Sequence, residues 1–359
     1  MKKLEYQVSF TTPAFLGNAE QNGQWRTPPF KALLRQWWRV AYAAEKRFQV
    51  DVAAMRREEG QLFGSAADGS GNRSLVRIRL SGWEIGSMKK WEGEESVSHH
   101  EVGQGGSNIG AHLYLGYGPL NFNSGTFLGK REGRDFKPRA AIQAEEEGAL
   151  GLACPDDRAE LIDSALWLMD RYGTIGGRSR NGWGSFSLTP LAGTPALGGK
   201  VPLRPWRDAL GLDWPHAIGQ DDGGALEWQT ELCDDWKSLM RRLAEIKIGM
   251  RTQFSFALNA AANDRQTQRG INHGRPQERH WLSYPVTNHP VSPWGNNARL
   301  PNTLRFKVRP TPDGKLFGVV FHVPCRPPRD FQPDEKAINR VWQQVHRHLD
   351  QAGLKRIPA

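Results

Sequence analysis

The chain opens with an alternating run in which Leu4, Tyr6, Val8 and Phe10 are separated by polar residues. A period of two marks a half-buried strand. Thr11-Thr12-Pro13 ends it, and a Gly/Asn/Gln-rich loop runs from Gly17 to Gln24. The period then turns helical. Leu33, Leu34, Trp37, Val40, Ala41 and Ala44 share one side of a helix, with Thr27 as its cap and Pro28 in its first turn. Residues 75–80 alternate as a strand, and 111–117 and 140–152 read as further strands. Pro155-Asp156-Asp157 opens a second helix with Leu161, Ala165, Leu168 and Tyr172 on its apolar face. A glycine-rich turn and a strand from Trp183 to Leu188 close the first half.

That order resembles the split β-α-β arrangement of ferredoxin-like domains, with insertions. A length of 359 residues suggests two domains of about 150 residues each. Five prolines between 190 and 215, and glycine pairs at 198–199 and 223–224, predict a connection with little regular structure. Beyond it, Leu232, Trp236, Leu239, Leu243 and Ile246 predict a helix from Glu227 to Lys247. Phe254, Phe256 and Leu258 alternate as a short strand. Strands at 303–308 and 316–323 flank Pro312-Asp313-Gly314. A last helix at 334–349 is amphipathic through Ile338, Val341, Val345 and Leu349. The expected class is α+β, divided as 1–190, a connection at 191–225, and 226–359.

Charge narrows the partners. Lys and Arg number 48 against 38 Asp and Glu, a net charge of +10, which favours a polyanion, either nucleic acid or an anionic membrane surface. No apolar run of about 18 residues exists, so no membrane span is expected. Cys154, Cys233 and Cys325 are far apart and form no C-x-x-C pair. That argues against a zinc knuckle or a disulfide framework and for reduced cytosolic thiols. Met1-Lys2-Lys3-Leu4-Glu5 has no apolar signal region, and a cytoplasmic location is expected. P-loop, H-E-x-x-H and G-x-S-x-G patterns are absent, as is a clustered set of carboxylates; no cofactor and no metal are expected.

Three stretches carry candidate binding chemistry. The first is Gly176-Gly177-Arg178-Ser179-Arg180-Asn181-Gly182-Trp183-Gly184-Ser185-Phe186. Its bare N–H groups can form an anion nest, Arg178 and Arg180 suit phosphate, and Trp183 offers a face to a base. The second is the first helix, where Lys31, Arg35 and Arg39 recur every four residues with Trp38 and Tyr42 beside them. Cations interleaved with rings suit a single strand, holding phosphates and stacking bases; the alternative is a face packed on another domain, with arginine stems covering apolar surface. The third is Asn263–Pro276, with Arg265, Arg269, His273 and Arg275, close to His280, His289, Trp281, Tyr284 and Trp294. His99-His100 reads as an exposed loop pair.

Thr12-Pro13, Phe15 and Gly17, then Arg26-Thr27-Pro28-Pro29-Phe30-Lys31-Ala32-Leu33-Leu34-Arg35-Gln36-Trp37-Trp38-Arg39, then Leu62-Phe63-Gly64, then Gly176 to Ser185, resemble the RAMP superfamily of CRISPR-associated proteins. Within it the pattern is most similar to the first subunit of type III-B (Cmr) effector complexes. The matched motifs lie between residues 11 and 186. The resemblance implies tandem ferredoxin-like (RRM-like) domains with loop insertions. It also implies a non-catalytic subunit that binds guide (CRISPR) RNA near its 3′ end, helps capture target RNA in antiviral defence, and assembles with other RAMP subunits. Its motifs carry over to Arg26, Lys31, Arg35, Arg39 and the loop from Gly176 to Gly182. The aromatic motif of ordinary RRM sheets is missing, which favours recognition through loops and the helix. Other readings stay open. One is a metal-independent ribonuclease processing guide RNA with His100 or His273 as general acid or base. Others are a different type III RAMP subunit, or an assembly subunit whose basic faces meet acidic proteins.

Overall fold

The computed structural model describes residues 1–65, 71–102, 106–256 and 272–358. The alternating opening run is β1 (Lys2–Phe10). It leads to α1 (Thr27–Glu45), which has Arg26 at its N-cap and proline in its first turn. α2 (Val52–Phe63) and β2 (Arg77–Leu80) follow. An insertion then holds β3 (Ser96–His99), β4 (Ser107–Gly110), α3 (Ala111–Gly116), β5 (Leu120–Phe122), β6 (Thr126–Glu132) and β7 (Asp135–Pro138). β8 (Glu147–Cys154), α4 (Ala159–Tyr172) and β9 (Phe186–Pro190) complete the first unit. Its antiparallel sheet has the order β2-β8-β1-β9, in a register that pairs Leu4 with Leu152 and Val8 with Leu188. Tyr6, Val8 and Phe10 point to a core shared with Leu34, Leu166 and Met169, and Trp37 of α1 stacks on Tyr172 of α4 at 5.5 Å.

The expected irregular connection holds β10 (Leu203–Pro205), α5 (Trp206–Ala209), β11 (Ile218–Asp221) and β12 (Gly224–Ala225), whose strands form a small sheet. Beyond them lie β13 (Glu227–Gln229), α6 (Trp236–Thr252), β14 (Leu304–Pro310), β15 (Leu316–His322), α7 (Glu335–Gln351) and β16 (Lys355–Arg356). The second sheet has the order β14-β15-β13-β16. Within each unit the strands, counted by their order in the chain, run 2-3-1-4. The ferredoxin-like topology therefore occurs twice.

Three stretches differ from their local pattern. Residues 111–117, with their alternating apolar residues, fold as the short helix α3, because Ala111 and Leu115 are buried in the core that includes Leu239 and Leu243 of α6. The helix expected from Glu227 begins at Trp236, where Asp235 accepts hydrogen bonds from the Lys237 and Ser238 amides at 2.8 and 3.0 Å. Glu227–Gln229 instead pairs with β15 and β16. Phe254 and Phe256 lie outside any strand, and Leu258 falls outside the described residues. Among the described residues no helix is long and apolar enough to cross a membrane.

Charged groups fasten the two sheets together. Lys307 of β14 is 1% exposed. Its ammonium donates to the carbonyls of Asp170, Gly173 and Phe186 at 2.6, 2.7 and 2.7 Å, so it satisfies the C-terminal end of α4. Buried Glu227 accepts from Tyr172 Oη at 2.8 Å and from Arg171 at 3.2 Å.

Candidate nucleic-acid interface

The glycine-rich stretch is the seam between the units. Gly176, Gly182 and Gly184 have φ values of 94°, 92° and 65°. A Cβ at Gly184 would stand 1.9 Å from the Ile175 carbonyl oxygen, so only glycine fits there. Thr12 Oγ1 at the end of β1 donates to the Gly182 carbonyl at 2.8 Å and accepts from the Ser185 amide at 3.0 Å. On the other side the Phe306 amide donates to the Arg180 carbonyl at 3.0 Å, and the Val308 amide to Ser185 Oγ at 2.9 Å. Both sheets hold the loop, which sets Arg178, Ser179, Arg180 and Asn181 on the wall of a cleft.

That cleft has a volume of about 2010 Å³. Its other walls are α3 with Tyr114, Tyr117 just beyond it, α6 with Lys247 and Arg251, and the 279–302 segment with Arg279 and Arg299. Lys247 Nζ donates to Asn181 Oδ1 at 2.7 Å and lies 5.6 Å from the Tyr114 ring centre. Asn181 Nδ2 in turn donates to the Leu115 carbonyl at 2.7 Å, which ties loop, insertion and α6 at one point. Arg178 Nε donates to the Tyr117 carbonyl. Among the described residues, six lysine or arginine side chains line the cleft, against Glu101 as the one carboxylate. Glu101 is taken by Arg279 Nη1 at 2.7 and 2.8 Å. Among the described residues, five cations therefore share the space without a carboxylate partner.

Burial, then the charges of Arg251 and Arg178, hold the Lys247 ammonium well below the usual lysine range. Burial lowers Arg178, Arg180 and Arg251 as well. Crowded cations in a partly desolvated setting raise the local positive potential, and an anion placed among them would relieve their mutual repulsion. Burial also pushes His289 on the rim down to about 4, helped by His273 and Arg279, so its imidazole is neutral at pH 7.

The residues expected to bind divide sharply. Gly176, Arg178, Ser179, Arg180 and Asn181 line the cleft. Gly177 and Gly182 shape the turn behind them, where a Cβ on Gly182 would press Met240, Leu243 and Phe306. Trp183 is 0% exposed and boxed by Phe15, Trp91 and Trp236 at 5.3, 5.6 and 5.9 Å; it is core and presents no face to a base. The basic stripe of α1 is not covered, since the Arg35 and Arg39 side chains are 38% and 41% exposed, but its charges are engaged within the fold. Glu59, 2% exposed, takes Arg35 at 2.8 Å and Arg39 at 2.5 and 3.0 Å, and Lys31 donates to Ser74 Oγ at 2.7 Å. Trp38 is buried against Tyr42 and Phe63 and is closed to stacking. Tyr42, at 3% exposed, is closed too. Arg26 is half-buried at the N-cap of α1, away from the cleft.

In the third stretch Arg265 and Arg269 lie outside the described residues. Arg275 is exposed and does not line the cleft. His273 is buried, its Nδ1 bonded to Gln277 Nε2 at 2.9 Å and its Nε2 to His289 Nδ1 at 3.1 Å. His99, expected to be exposed, is 5% exposed and packs on Tyr114 at 5.6 Å. The side chains missed at the level of sequence are Lys247, Arg251, Arg279, Arg299 and Tyr117. Lys247 and Arg251 sit four apart on one helix face, a signal hidden by ending that helix at 247.

Two ferredoxin-like units, seamed by a glycine-rich loop at the edge of a cation-lined cleft, define a tandem α+β protein. The family profile described as RAMP superfamily matches residues 7–187, and the chain belongs to that superfamily. No curated protein sequence matches the chain. The structure is similar to apo Cmr1 from Pyrococcus furiosus, at 14% identity and a TM-score of 0.46 over 100% of this chain and 99% of that one. It is also similar to a chain of the type III-B Cmr-beta complex bound to cognate target RNA and AMPPnP in the presence of ssDNA, at 10% identity and 0.44 over 97% and 99%. A chain of a type IV-B CRISPR complex matches at 14% identity and 0.30 over 57% of this chain and 95% of that one.

Proposed function

We propose that the chain is a non-catalytic RNA-binding subunit of a type III-B CRISPR ribonucleoprotein, in which it holds guide RNA near the 3′ end and helps capture target RNA. The observation that carries this reading is the cleft, where among the described residues five cations free of carboxylates surround about 2010 Å³. That volume is above the range of small-molecule pockets, about 300–1,000 Å³, and suits a polymer. Arg178, Arg180, Lys247, Arg251 and Arg299 contact phosphates, and Tyr117, 62% exposed, stacks a base. Such contacts read a backbone without reading sequence, as a subunit serving many guides requires. Other RAMP subunits are the proposed protein partners. His273 spends both ring nitrogens, on Gln277 and His289, which argues against it as general acid or base; His100 lines the cleft, and the incubation below tests it.

The test is ultraviolet crosslinking in the native host, with sequencing of the bound RNA and mapping of the crosslinked peptides. Repeat-derived RNAs joined at 114–117, 176–181 or 247–251 are expected. Unrelated RNAs, or crosslinks confined to 26–45, overturn the reading. Incubation of pure protein with repeat RNA in EDTA is expected to leave the RNA intact, and cleavage there would overturn the non-catalytic role.

A further inference from the structure

A smaller pocket of about 100 Å³ adjoins the cleft. The two meet at Arg180, Leu300, Pro301 and Asn302, which line both. Three guanidinium groups belong to the small pocket: Arg180 from the glycine-rich loop, Arg305 from β14, and Arg326. Arg305 is 8% exposed. Among the described residues, neither its Nε nor that of Arg326 has a hydrogen-bond partner. Asp213 lines the same pocket, but among the described residues no ion pair joins it to any of the three arginines. Burial pushes the neighbouring Cys325 thiol up to about 11, so it stays neutral and adds no anion. Trp281, Trp342 and Pro327 supply apolar wall.

A buried guanidinium with an unmet donor is unfavourable unless something accepts from it. Water is a poor match here, since three like charges meet in one small space and an anion offsets them together. Size limits the anion. At about 30 Å³ per water, the pocket holds roughly three waters or one tetrahedral phosphoryl group, and no nucleoside. A phosphodiester must continue on both sides, whereas a terminal phosphomonoester ends the chain. The monoester also carries about −1.5 to −2 charges at pH 7 and three free oxygens, which suit several guanidinium forks.

We propose that this pocket captures a terminal phosphomonoester of the nucleic-acid strand lying in the cleft, with Arg305, Arg180 and Arg326 as its ligands. The proposal rests on the RNA-binding reading of the cleft. It gives the strand an anchored end, and so a polarity and a register that backbone contacts alone do not supply.

The test uses the full chain and one single-stranded RNA sequence in three forms: 3′-phosphate, 5′-phosphate, and hydroxyl at both ends. Wild type is expected to bind one phosphorylated form about 10- to 100-fold tighter than the hydroxyl form, the size of a charge-assisted contact. Arg305→Met and Arg326→Gln are each expected to abolish that preference while leaving hydroxyl-ended RNA within about threefold of wild type. Arg326 is only half-buried, so Arg326→Gln remains a valid test should Arg305→Met fold poorly. Inorganic phosphate, compared with chloride at matched ionic strength, is expected to raise the melting temperature of wild type and not of Arg326→Gln. Equal binding of all three RNAs, or a preference that survives both substitutions, overturns the proposal and leaves the cleft reading standing. Binding of no RNA at all overturns the cleft reading itself.

Discussion

Replacing Lys247 and Arg251 together by methionine removes two of the five cleft cations that lack a carboxylate and keeps most of each apolar stem. Each phosphate contact on a single strand contributes about −0.7 to the slope of log affinity against log salt, so five contacts give about −3.5 and three about −2.1. Between 50 and 200 mM salt, wild-type affinity should therefore fall about 130-fold, and that of the double variant about 18-fold. Fluorescence anisotropy with a single-stranded RNA over a salt series reads the slopes directly. Stability separates this effect from unfolding. The two side chains are crowded, Lys247 by Arg251 and Arg178, so relief of like-charge repulsion offsets loss of the Lys247–Asn181 hydrogen bond, and the melting temperature should change little. A double variant whose slope stays within about 0.3 of wild type would refute the assignment of the cleft as the phosphate path.

Three further outcomes follow from the same geometry. Arg35→Met with Arg39→Met should leave the salt slope unchanged but lower unfolding free energy by about 3–5 kcal/mol in chemical denaturation, because Glu59 is left buried and unpaired. Trp183→Ala should lower stability by about 3–5 kcal/mol as a core deletion, whereas Tyr117→Ala should weaken RNA binding by about 1–3 kcal/mol with no change in melting temperature. A phosphate beside Lys247 favours its charged form, so binding takes up a proton wherever the free amine is neutral. Affinity should therefore decline as pH rises from the lowered free value of Lys247 toward the ordinary lysine value of about 10.4, and Lys247→Arg, titrated over the same range, should flatten the decline.

Periodicity is a local property, and it was legible wherever burial followed it. Leu4, Tyr6, Val8 and Phe10 are all buried as their alternation predicts. The apolar side of α1 and the Ile338, Val341, Val345 and Leu349 stripe of α7 are core as well. The turn at Gly176–Gly184 was legible for a related reason, since backbone conformation at positive φ restricts residue type directly. Charge is different, because its meaning depends on what stands opposite. Arg35 and Arg39 match a binding stripe in every local respect, yet Glu59, twenty residues beyond Arg39, neutralises both. Trp38 and Trp183 could stack bases by type, but packing fills both of their faces. Conversely Lys247 looked like the end of a core helix, and Arg251 lay beyond that expected end. They become a site because the chain brings Asn181, 66 residues away, and an insertion from the other unit against them. Side-chain type and spacing say which groups can hold an anion; long-range packing leaves some of them without a carboxylate, and those are free to bind.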